Sequence, residues 1–177
     1  MELYWRDLVG DEADRFTALF RRHHGQVLAY VLRRTGEAQA EDVVAETFTA
    51  AWRHIDRLPN DPLPWLYRTA RNRLSNDRRS VRRRERLADR LAAHHRAEPD
   101  HAPGVVEEVR LRAALWRLPP GEREALMLIG WEGLDHRTAA YVAGCSASAF
   151  KVRVHRARKR LAGLLANDNT PVGRATR

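Results

Sequence analysis

Lys151, Arg153, Arg156, Arg158, Lys159 and Arg160 fall within ten consecutive positions, and no acidic residue interrupts them. Such a run suits a polyanion, because guanidinium groups pair bidentately with phosphate and each neutralised phosphate releases counterions. The spacing around these cations is helical. Phe150, Val154, Ala157 and Leu161 recur at i, i+4, i+7 and i+11 as one apolar stripe. Ser148, Lys151, Val152, His155, Arg156 and Lys159 take the other face. Ser146 is placed to cap that helix, and Asp135 to cap a shorter one ending at Gly144. Ala139, Ala140 and Ala143 leave room for a close helix crossing. The stretch from Asp135 to Arg160 therefore predicts a helix-turn-helix. Short polar and methyl-bearing groups start its second helix, where base edges are read, and cations for phosphates follow. The plainer alternative is a basic surface helix in an all-α domain. Charge favours DNA, since Asp135 is the one acid against Arg137 and the six cations above.

A second cationic surface lies mid-chain. Arg68, Arg71, Asn72, Ser75, Arg78 and Arg79 spread over one side of a helix whose Trp65, Leu66, Ala70 and Leu74 are expected to face a core. The proline-punctuated loop Leu58-Pro-Asn-Asp-Pro-Leu-Pro64 precedes it and cannot continue either neighbouring helix. Cations with amides and hydroxyls beside a rigid loop suit single-stranded or partly melted nucleic acid. The cations track the backbone while a pocket or aromatic surface takes an unstacked base. Reading Trp65 and Tyr67 simply as core residues, with Trp65 the better fit, leaves the one-sided arginines unexplained. Upstream, a helix from about Ala40 to Asp56 turns Val44, Phe48, Ala51, Trp52 and Ile55 to one side and Asp42 and Glu46 to the other. Like charges four apart repel slightly. A solvated face and a partner surface fit that pair equally well.

Helical periods run throughout, so the elements that must position these faces are helices. Phe16, Leu19, Phe20, Val27, Leu28, Val31 and Leu32 make one or two of them, with a bend admissible at Gly25. A helix from Val105 to Leu118 is expected to turn Val109, Ala113 and Trp116 inward. Pro119-Pro120 then starts another, whose buried side is Ala125, Leu126, Leu128 and Ile129. The expected organisation is all-α: a helical domain over 1–80, an Arg-rich flexible linker over 81–104 that begins as helical continuation, a helix-turn-helix domain over 105–166, and a frayed tail over 167–177.

The 177 residues carry 32 Lys and Arg against 23 Asp and Glu, a net charge of +9, which again favours a polyanion partner. A basic membrane-surface protein is the competitor, but no run is long enough to span a bilayer and the start Met-Glu-Leu-Tyr-Trp-Arg-Asp lacks a signal-peptide pattern. A cytosolic chain is expected. The single cysteine, Cys145, excludes an intrachain disulfide framework, and a small buried turn residue is its simplest role. His94, His95 and His101 lack a framed metal-ligand spacing and are expected to be solvated. Neither a nucleophile–base array nor a phosphate-cradling glycine loop is present, so no cofactor, metal or enzymatic activity is expected.

Taken together, these stretches resemble bacterial RNA polymerase sigma factors of the extracytoplasmic-function type. Glu41-Asp-Val-Val-Ala-Glu-Thr-Phe-Thr-Ala-Ala-Trp52 is similar to the family's helix that docks on the polymerase clamp coiled coil. Pro64-Trp-Leu-Tyr-Arg-Thr-Ala-Arg-Asn-Arg73 resembles its −10-reading segment. Leu118-Pro-Pro-Gly-Glu-Arg-Glu-Ala-Leu126 resembles the start of its second conserved domain, and Ser146 through Arg160 its −35-reading helix. The resemblance implies core-polymerase binding through Asp42, Glu46 and Arg53. It implies −10 DNA binding through Asn60, Asp61, Arg68, Arg71, Asn72, Ser75, Arg78 and Arg79, with the loop from Leu58 to Pro64 capturing a flipped base. It implies −35 binding through Ser146, Ser148, Lys151, Val152, His155, Arg156 and Lys159. The implied partners are core RNA polymerase (clamp coiled coil and flap), promoter DNA and a cognate anti-sigma factor, without membrane insertion or an obligate homo-oligomer.

The chain departs from the family pattern in its second helix-turn-helix helix. Ala149-Phe150 stands where Thr-Val is common, and Val152 where a Ser is usual, trading a hydrogen bond for contact with thymine methyls. His136-Arg-Thr-Ala-Ala-Tyr is also less acidic than the usual version. A self-sufficient dimeric helix-turn-helix repressor or activator explains 135–160 but gives Asp42, Glu46 and the helix from Trp65 no role. A decoy that only sequesters an anti-sigma protein has no need of the basic faces, and a nucleic-acid-modifying enzyme lacks a site.

Overall fold

A computed structural model describes residues 2–88 and 106–167, with side chains over 11–76 and 109–167. Among the described residues seven α-helices follow in order: α1 (Glu2–Leu32), α2 (Glu37–Arg53), α3 (Leu63–Ala88), α4 (Val106–Arg117), α5 (Pro120–Gly130), α6 (His136–Ala143) and α7 (Ala147–Asn167). One turn of 3-10 helix, Ile55–Arg57, joins α2 to the loop before α3. No strand occurs among the described residues. The chain divides into two compact units near residue 93, with α1–α3 in the first and α4–α7 in the second.

In the first unit α2 packs against both α1 and α3. Two neighbours widen its buried face beyond a single stripe: Ala40, Val43 and Thr47 are buried with Val44, Phe48 and Ala51. The Thr47 hydroxyl donates to the Val43 carbonyl at 2.7 Å, so its burial leaves no polar group unmet. Trp52 sits at the edge of that face, 40% exposed, with its ring edge-on to Phe16 at 5.2 Å. At the centre, Tyr30 of α1 stacks on Tyr67 of α3 with ring centroids 4.7 Å apart. The buried Arg34 guanidinium lies 3.6 Å from the Tyr30 ring centroid and donates to the Tyr30 carbonyl at 2.9 Å. Arg15 bonds Asp56 at 2.9 Å and the Ile55 carbonyl at 3.1 Å, tying the 3-10 turn to α1.

In the second unit α7 packs on α4, α5 and α6. Phe150, Val154 and Ala157 enter a core with Ala114, Leu115, Leu118, Leu128 and Val142. Pro119 and Pro120 open α5 as expected, because a first-turn proline lacks only an amide hydrogen that the helix would not use. Asp135 caps α6, and Gly144 ends it at φ 66°, a left-handed conformation that glycine adopts without penalty. The Cys145 and Gly144 amides close back on the Ala140 and Tyr141 carbonyls, both at 3.1 Å, as a Schellman turn. Cys145 is only half-buried there.

Several expectations are corrected. Gly25 lies within an unbroken α1. On α3 the aromatic assignments reverse: Tyr67 is buried at 4% exposure, whereas Trp65 is half-exposed. The period explains this, since Leu66, Tyr67, Ala70 and Leu74 share a stripe and Trp65 falls about 155° from its centre. On α4 the inward stripe is Leu111, Ala114, Leu115 and Leu118, so Ala113 and Trp116 face out. Trp116, 49% exposed, is covered instead by the Arg123 guanidinium, 4.0 Å over its ring. On α5 Met127 is buried as well as Ala125 and Leu128, while Leu126 and Ile129 are half-buried. Helix α3 runs on through 81–88, and the rest of the expected linker, with His94, His95 and His101, lies outside the described residues, as does the tail from 168.

Leu66 is fully buried and Leu32 is 40% exposed. Leu66→Ala is therefore expected to lower the stability of the first unit by about 2–5 kcal/mol. Leu32→Ala should cost less than about 1 kcal/mol. Urea titration followed by circular dichroism measures both, and equal losses would refute this placement of the core.

Candidate nucleic-acid interface

Helix α7 separates its two faces cleanly. Ser148, Lys151, Val152, His155, Arg156 and Lys159 are all exposed, and the core residues between them are buried. Ser146 precedes the helix, and its hydroxyl accepts the Ala149 amide at 3.2 Å and meets the Ser148 hydroxyl at 3.1 Å. Not every cation of the run points to this face. Arg153 is half-buried with the guanidinium end of its side chain beside Gly121, and Arg160 bonds Glu122 at 3.0 Å. These two hold α7 to the start of α5. His136 is half-buried with its ring edge-on to Phe150, so of the two helix-turn-helix histidines only His155 lies on the outward face.

On α3, Arg68, Arg71 and Ser75 are half-buried and Asn72 is exposed. The Ser75 hydroxyl donates to the Arg71 carbonyl at 2.8 Å. Arg78 and Arg79 continue the helix, but their side chains lie outside the described residues. By period, Trp65 joins Arg68 and Asn72 on the outward side. Its ring centroid is 5.9 Å from that of His54, which bonds the Ala50 carbonyl at 2.9 Å. Trp65 is thus an interface candidate that a core assignment conceals; its offset from Leu66, Ala70 and Leu74 was the available signal. The loop before α3 exposes Asn60 and Asp61 between half-buried Leu58 and Pro62. The Pro62 carbonyl accepts the Leu66 amide at 2.9 Å, so the loop passes directly into the first turn of α3.

Asp42, Glu46 and Arg53 are exposed on α2, within about 40° of one another around the helix. Glu46 also forms a 3.4 Å ion pair with Arg73 of α3. Exposed at both ends, that pair is worth at most about 1 kcal/mol. It leaves Glu46 accessible.

The start of the helix-turn-helix depends on one carboxylate. Asp135 accepts the Arg137 and Thr138 amides at 2.7 and 3.0 Å and the Thr138 hydroxyl at 2.7 Å. The Thr138 hydroxyl first, then the two amides, hold its carboxyl below the usual aspartate range. A pKa lowered by folding stabilises above the unfolded-state value and stops doing so as pH falls through the depressed one. The melting-temperature gap between the native chain and Asp135→Asn, present at neutral pH, is therefore expected to close in acid. Thermal melts on descending pH check this, and a gap that persists would rule out the charged cap.

Two family models match the chain: sigma-70 region 2 over residues 19–85 and sigma-70 region 4 over residues 108–161. The chain is 37% identical over 143 residues to the ECF RNA polymerase sigma factor EcfG of Rhodopseudomonas palustris, covering 79% of each chain. It is similar in structure to the sigma factor RpoE of Bartonella quintana, solved with the anti-sigma factor NepR. The TM-score is 0.72 at 28% identity, over 87% of this chain and 98% of that one. It is also similar to CnrH, solved with the cytosolic domain of CnrY, with TM-score 0.61 at 30% identity over 87% and 89% of the two chains. CnrH of Cupriavidus metallidurans is 34% identical over 161 residues, 82% of this chain and 84% of that one. Two family matches in chain order, on the two units that carry the cationic helices, make this chain a member of the extracytoplasmic-function sigma factors of the sigma-70 family, which act in transcription initiation.

Proposed function

We propose that this sigma factor reads −35 duplex with α7, holds melted −10 DNA on the outward side of α3, and docks on the clamp coiled coil of core RNA polymerase through Asp42, Glu46 and Arg53. The observation that carries the reading is the exposed row Ser148, Lys151, Val152, His155, Arg156 and Lys159, backed by the buried Phe150, Val154 and Ala157. A helix with one anchored face and one acid-free cationic face fits a major groove without rearrangement. On α3, Arg68 and Arg71 follow the single strand, Trp65 offers an aromatic surface to an unstacked base, and Asn60, Asp61, Asn72 and Ser75 supply polar contacts around it. Capture of the unstacked base offsets an unpairing cost of a few kcal/mol, so binding energy drives melting. The sigma factor itself catalyses no step in this scheme; bond formation belongs to the polymerase.

The solved relatives bound to NepR and to the cytosolic domain of CnrY support a further part of the proposal. An anti-sigma factor holds this chain inactive until a signal releases it. The described residues include no helix long and apolar enough to cross a membrane.

Glu46→Arg is expected to abolish association with core polymerase at unchanged helicity. Arg73→Ala, which only breaks the surface ion pair, should leave association intact, and pull-down with core enzyme compares them. Association unaffected by Glu46→Arg would remove α2 from the docking surface. Arg71→Ala is expected to slow promoter opening, followed by permanganate reactivity of unpaired thymines, more than it weakens −35 duplex binding. Equal effects on both steps would assign Arg71 to duplex binding.

A further inference from the structure

Val152 shares the most outward direction of α7 with Lys159. At 100° per residue it lies about 190° around the helix from the mean direction of Phe150, Val154, Ala157 and Leu161. It is 49% exposed, among exposed Ser148, Lys151, His155 and Arg156, and Ala149 is exposed one turn earlier. Two exposed tryptophans, by contrast, have partners within the fold: Trp116 lies under Arg123, and Trp52 meets Phe16. Valine is an unfavourable choice at this position. Its branched Cβ lowers helix propensity, and its methyl groups face away from the core that could cover them.

We propose that Val152 is a specificity-determining residue that reads the C5 methyl group of a pyrimidine in the −35 major groove, with Ala149 beside it. The inference rests on the duplex reading of α7. Among the base-pair edges in that groove the C5 methyl is the apolar feature, and the rest are hydrogen-bond donors and acceptors. A side chain without donor or acceptor gains from the methyl and leaves a polar edge desolvated and unpaired. The surrounding cations supply affinity and register through phosphates, so the apolar contact has only to discriminate. Position agrees as well, because the early residues of a recognition helix are those that reach base edges. Thymine carries this methyl, and so does 5-methylcytosine.

The test uses the full chain assembled with core RNA polymerase to select promoters from a library randomised at −35. In the selected duplex, T·A, U·A, 5-methyl-C·G and C·G pairs are then compared at each −35 position by competition binding. One position is expected where uracil binds about fourfold more weakly than thymine, equivalent to ~0.8 kcal/mol for one buried methyl-sized group. The two should bind alike in Val152→Ala. A 5-methylcytosine advantage over cytosine that also disappears in Val152→Ala supports the contact with methylated cytosine as a second source; a thymine effect alone supports it with thymine as the source. Absence of any methyl effect, or one that survives Val152→Ala, overturns the inference and leaves the duplex reading standing. If the assembly enriches no −35 sequence, the duplex reading falls and this inference with it.

Discussion

The rotation of α7 about its own axis is set by Phe150, Val154 and Ala157, and what the second unit presents to a partner depends on that angle. A helix turned by one residue's worth, about 100°, would drive Lys151 into the core and lift Phe150 out of it. Either change costs several kcal/mol, through a buried unpaired charge or a lost aromatic side chain. The Asp135 cap and the Gly144 turn then fix how α6 enters α7. Arg153 against Gly121 and Arg160 on Glu122 brace the helix from the α5 side. Two of the cations that mark the stretch as basic are thus turned toward α5, and the outward set is smaller than the charge count suggests.

The first unit solves the same problem with aromatic rings. Tyr67 stacks on Tyr30 beneath the Arg34 guanidinium, fixing α3 against α1. A buried guanidinium would be costly alone, but the ring face and the Tyr30 carbonyl replace part of its hydration. With Tyr67 turned inward, the helical period places Trp65 outward beside Arg68 and Asn72. Burial of one ring and display of the other are consequences of a single rotation.

What was legible in the sequence was local. The two caps, the Schellman glycine, the opening prolines of α5 and the α7 stripe each tie a residue type to a backbone geometry a few positions away. What failed needed knowledge of neighbours. Helix α4 has two apolar stripes on opposite sides, and the larger tryptophan made the wrong one look stronger. Only the packing of α5 and α7 against α4 selects Leu111, Ala114, Leu115 and Leu118. Gly25 weakens α1 by roughly 1 kcal/mol, but the buried Val27, Tyr30 and Val31 that follow it outweigh so small a bias. Glu46 was visible as an exposed acid, whereas its pairing with Arg73 depends on how α2 meets α3.

On the proposed reading, non-specific affinity and selectivity are partly divided between residues. Each added Lys or Arg raises affinity for any duplex and steepens its salt dependence, so cations alone would bind this chain along the whole of a genome. Discrimination comes from side chains held at fixed positions against base edges, charged ones on guanine included. On the proposed reading the neutral members of that set are Ser148 and Val152 on α7, and Trp65, Asn72 and Ser75 on α3. Both sets stand on helices anchored by buried residues rather than on mobile segments. That placement has a physical reason: a contact worth about 1 kcal/mol discriminates only if the side chain making it is already ordered, since fixing a free residue costs at least as much.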